Sequence, residues 1–235
     1  MLLLALAILG NQLAVGWSND YLDRETDRQH QRDKPIVAGR LSPRPLGTAT
    51  LFALFISITC GALLGPLALT YLLIGTAAGL SYNLGLKDTR LSWLPYVVAF
   101  SVLPFFAWAA LDVFRPGLLW LLPIALPLAP VAHVANALPD IAADTDAGRR
   151  GLAVALGRPA SLIFVGLGLA LPVLLLALSL PFLQYNLPAL IATLLLFAVA
   201  VAGAAACYLR RRDRAAFRLI SLACLAFVVG CLWSL

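Results

Sequence analysis

Charge is scarce in this chain. Asp, Glu, Lys and Arg together make 12% of 235 residues, whereas 62% are hydrophobic and the mean hydropathy is +0.92. A soluble domain carries roughly twice that charge and far less apolar residue, so a water-facing globular fold is excluded. Histidine is nearly missing too. His30 and His133 have no second histidine at ligand spacing, which removes a histidine-based metal centre. The four cysteines, Cys60, Cys207, Cys224 and Cys231, all lie in apolar runs and form no CxxC pair. They read as small core residues rather than metal ligands or a disulfide frame. The opening MLLLALAILG lacks the positive start of a signal peptide and reads as a mature helix. Lysine occurs only at 34 and 87, against 15 arginines, a bias that suits a GC-rich, bacterial genome.

Long apolar runs are what the chain does have. They are unbroken, not the ten-residue alternating segments of a membrane β-barrel. Eight can be marked, at roughly 1–18, 47–65, 67–83, 93–111, 117–138, 159–180, 187–208 and 216–234. At ~20 residues per spanning helix, the expectation is an all-α integral membrane protein of about eight transmembrane helices, forming one membrane domain over 1–235. Gly61-x-x-x-Gly65 and Gly75-x-x-x-Gly79 allow close helix approach in spans two and three. Prolines at 104, 123, 127, 130 and 172 predict kinks.

The connections alternate in character. The first, third, fifth and seventh hold all but one of the 17 basic residues, Arg115 being the exception, and all but one of the 11 acids, Asp112 being the exception. The positive-inside rule puts those connections in the cytoplasm and both termini outside. It also accounts for the net charge of +6 without any nucleic-acid partner. The rule does not require the acids to share that face. A face rich in both signs suits a polar reaction chamber, with the active site on the cytoplasmic side of a bacterial cell membrane.

Two acidic clusters carry the chemistry. The first is Asn19-Asp20-Tyr21-Leu22-Asp23-Arg24-Glu25-Thr26-Asp27 at the end of span one. Asn19, Asp23 and Asp27 recur at i, i+4 and i+8 and stack on one helix face. The second is Asp140-Ile141-Ala142-Ala143-Asp144 after span five, with Asp146 behind it, Asn136 before it and Gly148-Arg149-Arg150-Gly151 after it. Stacked oxygens repel unless a cation sits among them. An all-oxygen set favours a hard ion, and Mg²⁺ is normally shared between one or two carboxylates and substrate phosphates. Arg149 and its neighbour could hold phosphate oxygens, and Arg32, Lys34, Tyr82 and Lys87 are further candidates. Either cluster alone could be an exposed acidic helix end. Two of the same spacing, on one membrane face and beside basic residues, mark a functional site.

These residues resemble the UbiA superfamily of intramembrane prenyltransferases. Asn19, Asp20, Asp23 and Asp27 are similar to its NDxxDxxxD motif, and Asp140 and Asp144 to its second DxxxD. The stretch from Arg32 through Lys34-Pro35 to Gly39 and Leu41-Ser42 is similar to the continuation of the first motif, with Lys34 in place of the usual arginine. Tyr82 and Lys87 resemble a Tyr…Lys element, one residue more widely spaced than in several members. The resemblance covers nearly the whole chain. It implies nine helices around a central cavity, of which this chain lacks the first, as a shortened member would.

The resemblance also implies an activity, transfer of an isoprenyl group from an allylic isoprenyl diphosphate to an acceptor that is an aromatic or other small lipid-precursor nucleophile. Two Mg²⁺ ions would bridge the aspartates to the diphosphate. Asn19, Asp20, Asp23 and Asp27 would serve one ion and Asp140 and Asp144 the other, with Arg32, Lys34, Lys87, Arg149 and Tyr82 on the diphosphate. Asp23, Asp140, Asp144 and Lys87 would be catalytic, with Asp146 a second choice. Two other outcomes stay open at this level. An allylic cation could close on itself, as in a membrane terpene cyclase. The acids could instead bind the ions of a multi-span transporter, although transporters show internal repeats and midplane helix breaks that are not visible here.

Overall fold

The computed structural model describes residues 1–30, 34–114 and 116–235. Every regular element among them is helical: α1 (Leu2–His30), α2 (Pro43–Leu63), α3 (Pro66–Asn83), α4 (Leu94–Leu111), α5 (Leu121–Ala125), α6 (Leu128–Ala137), α7 (Ile141–Asp146), α8 (Leu152–Ser179), α9 (Leu187–Leu209) and α10 (Asp213–Ser234). The chain packs as two compact units, Met1–Phe114 and Arg115–Leu235.

In the first unit α1 lies along α2 and α3 along α4, with α3 also touching α1 and α2. Its core is Ala7, Cys60, Ala68, Leu72 and Phe106. Apolar packing alone cannot register helices whose surroundings are equally apolar, so interhelical hydrogen bonds do it. The Ser57 hydroxyl donates to the Ala7 carbonyl at 2.8 Å. The Asn11 amide donates to the Thr76 hydroxyl. The Asn83 amide donates both to the Val15 carbonyl and to the Ser18 hydroxyl, each at 2.8 Å. Of the expected glycine pairs, Gly61 and Gly79 do sit at close crossings: a Cβ at Gly79 would lie 2.9 Å from Val15. Gly65 instead turns the chain between α2 and α3 with φ 114°.

The second unit is built around α6, whose Val131, Val134 and Ala135 are fully buried. α8 and α10 pack on α6, and α9 pairs with α10. Phe197 and Phe227 meet at 5.0 Å between ring centroids across the α9–α10 pair. α8 shows how lipid shapes a helix. Val165, Leu169, Pro172 and Leu176 are buried, while Ile163, Leu167, Leu171, Leu174 and Leu178 are exposed. Both stripes are apolar, as expected when one side meets protein and the other acyl chains.

Among the described residues, seven helical segments are long and apolar enough to cross a membrane, with Leu121–Asp146 counted as one. The eighth expected span, α3, forms as a helix of 18 residues but is absent from that group. Thr70, Tyr71, Thr76, Ser81, Tyr82 and Asn83 dilute its hydropathy, and Thr76 and Asn83 spend their polarity on α1. Proline acts unevenly. The fifth span breaks into α5 and α6 around Pro127, whereas Pro104 and Pro172 lie inside continuous helices. α8 bends at Gly157, where φ is 70°.

Candidate active site

The first acidic cluster occupies the last turns of α1, which continues unbroken from the apolar span through the motif. Two features anchor this segment. Asn83, at the end of α3, grips Val15 and Ser18 one turn before the motif. The connection after α3 then folds back as a tight turn, Leu86–Asp88. Gly85 enters that turn with φ 130°, a conformation an L side chain rarely adopts. The Asp88 amide donates to the Gly85 carbonyl at 3.0 Å and the Thr89 amide to Leu86 at 3.1 Å. The turn aims Lys87 at α1.

Lys87 Nζ donates to Asn19 Oδ1 at 3.3 Å and to Asp23 Oδ1. Lys34 Nζ reaches Asp20 Oδ1 at 3.0 Å and Asp27 Oδ2 at 2.7 Å. Asp23 and Asp27 are buried, so each ammonium supplies the counter-charge a buried carboxylate needs. Lys34 itself is pulled two ways. Burial lowers its pKa, but its hydrogen bonds to Asp27 and Asp20 outweigh that and hold it above the ordinary 10.5. It is therefore a fixed positive charge. Its backbone is held as well, because the Ala38 amide donates to the Lys34 carbonyl at 2.8 Å. Tyr82 lies in the last turn of α3 and meets Tyr96 edge-on at 5.6 Å.

The second cluster is more open. Asp140 closes the turn Leu138–Asp140 and Asp144 lies on α7, a helix of only six residues. Arg149 Nη1 donates to Asp144 Oδ1 at 3.3 Å, and the Arg149 amide donates to the Asp144 carbonyl at 2.9 Å. Both side chains are roughly a quarter exposed. Asp146 is exposed. Arg32 lies outside the described residues.

Sequence reasoning expected a stack of Asn19, Asp23 and Asp27. The structure divides the oxygens differently: Asn19 with Asp23 around Lys87, and Asp20 with Asp27 around Lys34. Asp20, which lies off that stack, shares Lys34 with Asp27. Asn83 and Ser18, which position the motif, went unnoticed because a polar residue inside an apolar run does not announce its partner.

Among the described residues, no three His, Cys, Asp or Glu side chains gather as a ready cation cage. Mg²⁺ keeps several waters and takes one or two carboxylates plus substrate phosphates. The donor set on α1 is oxygen only, and each oxygen pair already holds one positive group. The residues therefore fit a Mg²⁺–diphosphate partner.

The chain is similar to several known proteins. Digeranylgeranylglyceryl phosphate synthase of Methanopyrus kandleri is 28% identical over 193 residues, 79% of this chain and 71% of that protein. The bacteriochlorophyll synthase 33 kDa chain of Cereibacter sphaeroides is 30% identical over 162 residues, 64% of this chain and 53% of that one. The apo structure of a UbiA homolog from Aeropyrum pernix matches the fold with a TM-score of 0.78 at 22% identity, over 99% of this chain and 88% of that one. A UbiA homolog from Archaeoglobus fulgidus, bound to GPP and Mg²⁺, matches with a TM-score of 0.70 at 19% identity, over 98% of this chain and 87% of that one. The UbiA prenyltransferase family itself matches residues 1–230. With that match over nearly the whole chain, this multi-pass membrane protein belongs to the UbiA prenyltransferase family, and its chemistry is prenyl transfer.

Proposed function

We propose that the protein transfers an isoprenyl group from an allylic isoprenyl diphosphate, and that Asn19, Asp20, Asp23 and Asp27 bind the Mg²⁺-bound diphosphate with Lys34 and Lys87. The observation that carries this reading is the pairing of two ammonium groups with two oxygen pairs on the last turns of α1. Such a site accepts a polyanion bearing its own cation, since carboxylates take the metal and lysines take phosphate oxygens. When bound, Mg²⁺ supplies Lewis-acid neutralisation of the leaving diphosphate.

The lysines contribute to the same step. They donate to phosphate oxygens as the allylic C–O bond breaks and its electron pair leaves with the diphosphate, where added negative charge must be stabilised. Lys34 keeps its proton throughout, since its pKa lies above 10.5. The acceptor nucleophile then bonds to the allylic carbon and loses its proton. Asp140, Asp144 and Arg149 serve the diphosphate too, by their match to the family's second motif. On this reading each cluster takes one Mg²⁺, two in all, and the whole chain is one catalytic domain. The two relatives' names point to a prenylated glycerol phosphate or a tetrapyrrole as acceptor classes to try. The reactive face is cytoplasmic, because 16 of the 17 basic residues share it, and the membrane is a bacterial cell membrane.

The test is Asp23→Ala and Asp140→Ala in the full-length chain, given labelled geranyl or geranylgeranyl diphosphate and these acceptors. Mg²⁺-dependent turnover should fall on the order of 10²-fold or more in each variant, by analogy with removing one transition-state charge stabiliser. Undiminished turnover in either variant removes its cluster from the site.

A further inference from the structure

The α9–α10 connection, taken through the first turns of α10 as far as Arg218, holds five arginines in nine residues: Arg210, Arg211, Arg212, Arg214 and Arg218. All five are exposed, and among the described residues none is ion-paired. The connection's one acid, Asp213, is withdrawn from them. Arg158, from the start of α8, takes Asp213 in a two-pronged pair, with Nη2 to Oδ1 at 3.0 Å and Nη1 to Oδ2. What remains is an uncompensated patch of about five positive charges.

The direction of the patch is set by α10. The exposed apolar residues of this helix are Leu222, Leu225, Val229 and Leu232. Their spacing of three and four marks one lipid-facing stripe. Counting back by four places Arg218 and then Arg214 on the same stripe, both exposed. Trp233, 82% exposed, stands at the far end of the helix, where an interfacial aromatic belongs. From Arg214 to Trp233 the helix rises roughly 29 Å, close to the thickness of a hydrocarbon core. Arg214 therefore lies at headgroup depth and Arg218 one turn deeper, where its long side chain reaches the headgroups, both on the side that meets lipid. Leu209, 87% exposed, flanks the turn as an apolar contact at the same end. The backbone of the turn is already satisfied, with the Arg211 amide on Tyr208 and the Arg212 amide on Cys207, so the guanidinium groups are what the patch offers. A topology signal needs only the charge. It does not need an acid sequestered by another helix or arginines in line with the lipid stripe.

We propose that the α9–α10 connection is a binding surface for anionic phospholipid headgroups, with the guanidinium forks of Arg210, Arg211, Arg214 and Arg218 on phosphate oxygens. It lies wholly within the second unit, uses no residue of the diphosphate site, and stands whether or not that site reading holds.

The test equilibrates purified full-length protein with mixed micelles of phosphatidylcholine and phosphatidylglycerol and counts retained lipids by native mass spectrometry. Wild type should retain phosphatidylglycerol preferentially. The R210Q/R211Q/R214Q/R218Q variant should lose that preference, by about fivefold in affinity for each arginine removed. The R24Q/R28Q variant, altered at the half-buried Arg24 and the exposed Arg28 of α1, should keep it. Raising salt from about 0.05 to 0.5 M should weaken the wild-type preference by screening, a measurement that does not depend on any variant folding. The proposal is overturned by a wild type that retains both lipids equally, by a preference indifferent to salt, or by equal losses in the two variants.

Discussion

The two acidic clusters share one spacing and differ in almost everything else. On α1 the aspartates sit on a 29-residue helix braced by α2 and α3, Asp23 and Asp27 are buried, and both counter-charges come from outside the helix, one of them 64 residues away. On α7 the aspartates sit at a six-residue helix, Asp144 is partly open, and its counter-charge is Arg149, five residues along. A DxxxD pattern specifies only that two carboxylates share a helix face. How costly those carboxylates are, and how firmly they are held, depends on the burial and the partner that packing supplies.

Three perturbations would sharpen or break that contrast. The largest is Lys87→Met. With side chains of Lys87 and Asp23 only 8% and 12% exposed, it leaves a buried carboxylate without its lysine, and thermal denaturation should report a loss of about 3 kcal/mol. Adding Asp23→Leu should recover much of the stability and none of the activity. If Lys87→Met proves neutral, the claim that the first cluster is electrostatically interlocked falls.

A smaller effect is expected at the other cluster. Arg149→Gln removes a half-open local pair, 24% and 23% exposed, and should cost under about 1 kcal/mol while raising KM for the diphosphate more than it lowers kcat. A stability loss as large as that of Lys87→Met would erase the distinction between the two sites.

The smallest effect concerns pH. Lys34 has a folded pKa raised above 10.5 by Asp27 and Asp20, so its contribution is complete below that value and is lost only as pH climbs past it. Melting followed from pH 7 to 10 should therefore show no titration at Lys34, and the Lys34→Met variant should show the same profile across that range. A wild-type stability step between pH 7 and 10 that disappears in Lys34→Met would mean that the Asp20–Lys34–Asp27 contact is not the one described.

Much of this was legible in advance. Helix positions followed from unbroken apolar runs, because lipid demands internal satisfaction of every backbone group and leaves few choices. The acidic motif was legible because charge is rare here and stands out. Less was readable about α3, since nothing in its sequence marks Thr76 and Asn83 as the hydrogen-bond partners that fasten α1. Nor did Asp213 look different from its arginine neighbours until Arg158 was found across it. In each case a short polar side chain chooses a partner far along the chain, and linear spacing says nothing about that choice.

Composition by itself determined the solvent, the helical class and the faces that carry charge, since each follows from local transfer energies and a 3.6-residue period. Tertiary structure alone decided which lysine neutralises which oxygen pair, which acid is buried and which is open, and that Asp213 is held by Arg158 while the arginines around it are exposed. Those outcomes depend on Coulomb energy and desolvation, which scale with distance and burial in three dimensions and leave no trace in the order of residues.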